Sequence, residues 1–303
     1  MSIGSIAKNV LPERVAASLT RFRKNLRRAR VGRLPLISEK DFTNILTGQL
    51  GLVAGDTVYV HSSIDQLNLE FPFYRVLPLI QDVIGQRGTV LFPTYPNRNM
   101  SSYEYLLRGN VFDIRRTPSY TGLLTEFARR QRNAVRSLHP TKSVCAIGQY
   151  ARELTATHQN SPYPYDVCSP YYKLVEHEAK IVGIGVWTQF LSFVYCVDDA
   201  LKDDAPVQTY FPQTFAARCI NYEGEVEIVE TYAHDMRRVV HDIPRYIKTY
   251  IPSEICCDFL VNGMRFFRAD ARKLFELMLE LARRDITVYP RSVYSKRVQD
   301  KRG

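Results

Sequence analysis

Thr57-Val-Tyr-Val-His-Ser-Ser63 begins with a run of β-branched and aromatic residues too short for a helix, and it reads as a strand over Thr57 to His61 with Ser62 and Ser63 at its C-terminal end. Val76 to Ile84 has helical spacing, with Pro78 in the first turn, where a proline is tolerated. Thr89 to Phe92 is strand-like again. Strand, helix, strand is a parallel crossover unit, so the expected fold class is α/β.

Upstream, Ser38-Glu-Lys-Asp41 opens a helix: Ser38 is a good N-cap, and Phe42, Ile45 and Leu46 share one face. Downstream, Thr94 to Gly122 reads as a long irregular stretch, which in a compact domain is usually functional. Leu123 to Arg130 reads as a helix, and Ser143 to Ile147 and Ile181 to Ile184 as strands. A hairpin is expected from Phe215 to Thr231, turning at Glu223-Gly224. A closing helix runs from about Ala271 to Arg284, with Leu274, Phe275, Met278 and Leu281 on one face.

The 303 residues are 45% hydrophobic and 24% charged, which excludes a disordered or collagen-like chain, and no apolar run spans a bilayer. Six cysteines lack Cys-x-x-Cys spacing and the N-terminus lacks a secretory apolar core, so a reducing cytoplasm is expected. The net charge of +10 gathers at the ends, in Arg21 to Arg33 and Ser295 to Arg302. For the first cluster a solvated or packing helix is favoured, then an anionic membrane surface, then nucleic acid, for which no binding module is visible.

His139 stands in Arg136-Ser-Leu-His-Pro-Thr-Lys-Ser143, where Pro140 holds it out of a helix just before a strand. An imidazole there can serve as a general base, and the bland reading is a surface-loop histidine. Ser62 and Ser63 either face a ligand beyond the strand ends or cap the next helix. Arg115 and Arg116 offer guanidinium forks to phosphate or are solvated. Asp198, Asp199, Asp203 and Asp204 form an acidic run that reads most simply as a solvated helix end.

Taken in order, the blocks at Gly55–Ser63, Gly88–Thr94, Phe112–Gly122, Arg136–Ser143 and Ser169–Leu174 resemble the aminoglycoside 3-N-acetyltransferase family. The resemblance implies a three-layer α/β/α fold with a mixed central sheet and a smaller C-terminal β-hairpin and helix portion. It implies residues 1–37 as a basic helical extension, 38–290 as an acyltransferase domain and 291–303 as a basic tail. The activity implied is acyl-CoA-dependent N-acylation of an amino sugar, with acetyl-CoA or another acyl-CoA as co-substrate and no metal. His139 is then the general base, with Asp198 or Asp166 orienting it. His61, Ser62, Ser63, Arg115, Arg116, Thr117, Pro118 and Ser143 fall on the CoA side, and Asp166, Ser169 and Tyr195 on the acceptor side.

Two departures qualify this. The family commonly has His and Glu where this chain has Tyr195 and Asp198, and a Glu where it has Val167. With the basic net charge, these point away from a polycationic antibiotic and toward an amino sugar that is anionic overall, such as a nucleotide-linked precursor of a surface polysaccharide. The alternatives are a catalytically altered relative that binds CoA or a sugar nucleotide in a structural or regulatory role, and a true aminoglycoside-modifying enzyme. A hydrolase is disfavoured because no Gly-x-Ser-x-Gly elbow or metal cluster is present. No nucleic-acid partner is expected; membrane contact through the basic N-terminus and a homodimer are left open.

Overall fold

The computed structural model describes residues 29–290. Ser38 caps the helix Glu39–Asn44 in a reciprocal capping box with Asp41, and the chain continues as a π-helical turn, Ile45–Gln49, that buries Ile45 and Leu46. The parallel crossover follows: β1 (Thr57–Ser62), the helix Val76–Ile84, and β2 (Thr89–Pro93) paired in parallel with β1. The stretch from Thr94 to Gly122 is more ordered than its composition suggests. A helix, Ser102–Leu107, forms under a Ser101–Glu104 capping box, and β3 (Phe112–Asp113) pairs with a strand a hundred residues later. That pairing is non-local, and a two-residue strand leaves no periodicity to read.

After the helix Leu123–Arg129 come β4 (Val135–Arg136) and β5 (Val144–Gly148), both running antiparallel to their neighbours. The helices Ala151–Thr155 and Pro170–Glu176 lead to β6 (Lys180–Ile184), parallel to β1. A short helix, Tyr195–Leu201, precedes the hairpin of β7 (Tyr210–Ile220) and β8 (Val226–His234). The helix Ile243–Tyr250, a second hairpin of β9 (Cys256–Val261) and β10 (Met264–Asp270), and the helix Ala271–Arg283 close the described chain.

The central sheet has seven strands in the order β4-β5-β2-β1-β6-β10-β9, and the second sheet has three, β3-β7-β8. The sheet is therefore mixed, with β2, β1 and β6 as its parallel centre. Its layers follow from strand alternation: Tyr59, Leu91 and Ile181 pack into one core while Val58, Val60, Val90, Phe92 and Val182 pack into the other. Both faces are covered, so β1 reads as a continuous apolar run.

The expected hairpin around Glu223-Gly224 is β7–β8, which forms the separate smaller sheet with β3, and a further hairpin, β9–β10, extends the central sheet. One expectation needs correction. The acidic run is no solvated helix end throughout: Asp199 is wholly buried, accepting from the Tyr165 amide at 2.7 Å and the Tyr210 hydroxyl at 2.8 Å. Of the basic N-terminal stretch, residues before 29 lie outside the described residues, as does the tail from 291. Ile37, the last residue of the expected extension, is buried in the core and bridges Leu69.

Candidate active site

The C-terminal ends of β1, β2 and β6 face the same way, and a cavity of about 880 Å³ opens there. His61, Ser62 and Ser63 line it from β1, Pro93 and Tyr95 from β2, Tyr120 to Leu123 from the following loop, and Ser192 from the far side. Gly185 lets β6 turn beneath this wall: its φ is +75°, and a Cβ would lie 2.3 Å from the Ser63 carbonyl oxygen. The loop is fastened to the end of β2, the Tyr120 amide donating to the Tyr95 carbonyl at 2.9 Å and the Thr121 hydroxyl to the Pro93 carbonyl.

His61 Nε2 and Ser62 Oγ are buried at this wall without a hydrogen-bond partner among the described residues. Burial holds the His61 imidazole down to about 3, so it is neutral at physiological pH. Buried polar atoms are normally paired, so two orphans on one cavity wall make it the candidate site.

The CoA-side expectation for Arg115 to Pro118 is not met by this geometry. Arg115, Arg116 and Pro118 are exposed, the backbone amides of Arg115 and Arg116 wrap the Asp113 carboxylate, and none of the four residues lines the cavity. The cavity takes instead the next residues of the same block, Tyr120, Thr121 and Gly122. Ser143 is wholly buried and donates to the Ser137 carbonyl at 2.7 Å, which makes it part of the turn rather than of the wall.

His139 is buried to 0% exposure in the turn between β4 and β5. Its Nδ1 accepts from the Thr141 and Lys142 amides at 3.2 and 3.0 Å, so the ring proton is on Nε2 and is donated to Thr231 Oγ1 at 3.2 Å. The Thr231 hydroxyl in turn donates to the Tyr232 carbonyl at 3.1 Å. The imidazole packs at a tilt on His158 with centroids 4.3 Å apart, and burial, with help from His158 and Lys142, holds it well below its usual range. The expected free base is therefore a neutral ring with no lone pair to spare, because the His-Pro turn uses its acceptor to tie down two backbone N–H groups.

Neither proposed carboxylate is bonded to it. Asp166 accepts from Ser161 and from the Cys168 amide, and Ser169 is a buried N-cap for the helix Pro170–Glu176. Asp198 accepts from the Tyr289 hydroxyl and is partly exposed beside Tyr195. Burial pushes its carboxyl up to about 7 against the lowering effect of that hydrogen bond. Tyr195 shares a hydrogen bond of 2.9 Å with His241 Nε2 and packs on His234 at 4.7 Å.

Three residues that the sequence did not single out gather around the end of β2. Tyr95 bonds Ser192 at 3.2 Å and receives the Tyr171 hydroxyl at 2.7 Å. Lys142 places its ammonium 5.0 Å from the centre of the Tyr95 ring. Arg136, 3% exposed, binds Thr94, Ser143 and the Thr117 carbonyl and lies over Phe112, so it locks the end of β2 to the β4–β5 turn. The signal for Arg136 was a charged residue at the start of an apolar strand pair; for the tyrosines it was only their abundance. Among the described residues no group of three metal-ligating side chains is found, and no helix is long and apolar enough to cross a membrane.

The family described as aminoglycoside 3-N-acetyltransferase matches this chain over residues 59–282. Aminoglycoside N(3)-acetyltransferase VII of Streptomyces paromomycinus is 31% identical over 169 residues, which is 51% of this chain and 57% of that protein. The chain thus spans about half the length of the curated relatives it matches. Among solved structures, aminoglycoside acetyltransferase AAC(3)-Xa superposes with a TM-score of 0.70 at 21% identity, covering 89% of this chain and 99% of its own. AAC-IIIb, solved as a binary complex with CoASH, superposes with a TM-score of 0.67 at 19% identity, covering 84% and 100%. These likenesses establish a shared fold.

Proposed function

The chain belongs to the aminoglycoside 3-N-acetyltransferase family, and on that premise we propose that it transfers an acetyl group from acetyl-CoA to the amine of an amino sugar. The observation that carries this reading is the cavity beyond β1, β2 and β6, where His61 Nε2 and Ser62 Oγ stand buried and unpartnered. A thioester carbonyl reaching that wall would meet the hydrogen-bonding groups its oxygen needs as negative charge develops. At the rim, Val31 and Gly32 line the cavity between the exposed Arg30 and Arg33. We assign the CoA phosphates to these arginines in place of Arg115 and Arg116.

In the transfer the amine nitrogen forms the C–N bond as the C–S bond breaks, the amine proton passes to a base, and CoA leaves as a thiolate that is then protonated. His139 has no free lone pair, so we assign the proton to Asp198, whose carboxyl burial pushes up to about 7 while it accepts from the Tyr289 hydroxyl. His139 then positions the turn that carries Lys142. The test is thiol release from acetyl-CoA by the purified chain with aminoglycoside and simple amino-sugar acceptors. Release dependent on an acceptor supports the reading, and saturable CoA binding without release to any acceptor favours the catalytically altered relative.

A further inference from the structure

A second cavity, of about 440 Å³, opens where β7 begins and β8 ends, and none of its lining residues lines the cavity beyond β1, β2 and β6. Three tyrosine rings stand in its wall, with centroids 4.8 Å apart for Tyr163 and Tyr232, 5.6 Å for Tyr210 and Tyr232, and 6.1 Å for Tyr163 and Tyr210. Phe211 adds a fourth ring, stacked on Tyr103 at 4.1 Å. The Tyr232 amide donates to the Pro162 carbonyl at 2.8 Å, which ties the segment carrying Tyr163 to β8. The same wall reaches the helix of the proposed base. Tyr210 donates its hydroxyl to Asp199, the neighbour of Asp198, and its ring stacks at 4.4 Å on His234, which packs on Tyr195.

The charged groups around this space do not cancel. Arg237, Arg238, Asp203 and Asp235 line it, and Lys202, held at a φ of +49° that a residue with a side chain adopts at a cost, sets its ammonium 5.1 Å from the centre of the Tyr163 ring. Arg237 grips Asp235 through two hydrogen bonds of 2.8 and 2.7 Å, so the half-exposed Arg238, 3.7 Å from that carboxylate, has only a shared partner. Asp199 lies wholly buried against Tyr210, and burial raises its carboxyl well above the usual range, toward the neutral form. Three cations therefore stand against two carboxylates at the cavity. Gln208, also in the wall, spends its amide nitrogen on the Lys202, Asp203 and Ala205 carbonyls, which leaves its oxygen as an acceptor for a ligand N–H.

A planar heterocycle stacks on tyrosine whatever its identity, and a guanidinium fork suits a phosphate. A neutral hexose would leave the excess positive charge unanswered, and a polycation would be repelled by it. We infer that this cavity holds the nucleotide moiety of a nucleotide-linked amino sugar, with the base against the three tyrosines and the phosphates at Arg238 and Lys202. This rests on the acetyl-transfer reading and names its acceptor class.

The test is calorimetry of uridine 5′-diphosphate, pyrophosphate, glucosamine and kanamycin with the full chain in excess CoA, repeated for Tyr163→Ala and Arg238→Ala. Uridine diphosphate should bind saturably and about tenfold or more tighter than pyrophosphate, the scale of one base–aromatic stack. Tyr163→Ala should remove that margin, and Arg238→Ala should weaken uridine diphosphate by about tenfold, as loss of one charge-assisted contact does. No binding, pyrophosphate bound as tightly, or an affinity unchanged in Arg238→Ala would overturn the inference. So would glucosamine or kanamycin bound more tightly than uridine diphosphate and weakened by Tyr163→Ala. Where Tyr163→Ala does not fold, the margin over pyrophosphate and the half-exposed Arg238 decide. Binding is read without turnover, so absence of thiol release with every acceptor, nucleotide-linked glucosamine included, defeats the acetyl-transfer reading and leaves the binding result standing.

Discussion

Asp198 can accept a proton only when ionised, and burial holds its carboxyl up to about 7. If it is the base, turnover should rise with pH through that value. Asp198→Asn should remove the rising limb and lower turnover by roughly 10²- to 10⁴-fold, the worth of a positioned base, while CoA binding persists. An unchanged pH profile in Asp198→Asn would assign the proton elsewhere. His139 makes the opposite prediction. Its removal leaves two backbone N–H groups and Thr231 without their partner, each buried orphan costing about 1–3 kcal/mol, so His139→Ala should lower the melting temperature by several degrees. A variant that keeps its melting temperature yet loses about a hundredfold in turnover would restore His139 as the base.

At the scale of elements, Arg136 holds β2, the β4–β5 turn and the Thr117 loop together, and no carboxylate among the described residues forms an ion pair with it. Burial pulls the guanidinium down to about 10, so it stays charged through the physiological range. Arg136→Ala should cost about 3–5 kcal/mol, because several buried acceptors lose their only donor at once, and a denaturant midpoint measures it. Lysine in its place should recover little, since one ammonium cannot reproduce the fork. Gly185→Ala probes the wall itself: its Cβ would collide with the Ser63 carbonyl at a φ alanine avoids, so calorimetry should register weaker CoA binding even where the protein still folds. Undiminished affinity would separate that turn from the CoA site.

The whole molecule carries an acid sensitivity with a definite sign. His61, His139, His158, His234 and His241 are all depressed by burial, so below about pH 6.5 the unfolded chain takes up protons that the folded chain does not, and stability falls as pH falls. Asp198, Asp199 and Asp258 are raised by burial and act in the opposite sense, keeping protons in the folded state that the unfolded chain has lost. The histidines outnumber these carboxyls and dominate between the two senses. Melting temperatures taken between pH 7.5 and 5 should therefore decline, and a flat or rising trend would contradict the burial of these imidazoles. Below that range the ion-paired Glu126 and Asp235, both held low by arginines, add to the loss.

Local chemistry determined much of this protein. The Ser38 cap, the crossover from Thr57 to Phe92, the hairpin around Glu223-Gly224 and the closing helix are all legible because each is specified by residues within a few positions of one another. His61, Ser62 and Ser63 could be placed beyond a strand end, where they line the cavity, for the same reason, as the end of a strand read from its own alternation. The β3 pairing, the insertion of β9 and β10 into the central sheet, and the burial of Asp199 were not legible, since each depends on contacts between distant segments. The same limit applied to His139, where sequence fixes an imidazole in a rigid turn and only the fold reveals that Thr141, Lys142 and Thr231 occupy both its nitrogens. Whether a titratable group is free to react is decided by what surrounds it in three dimensions, because burial and hydrogen bonding set its proton affinity and its open lone pairs.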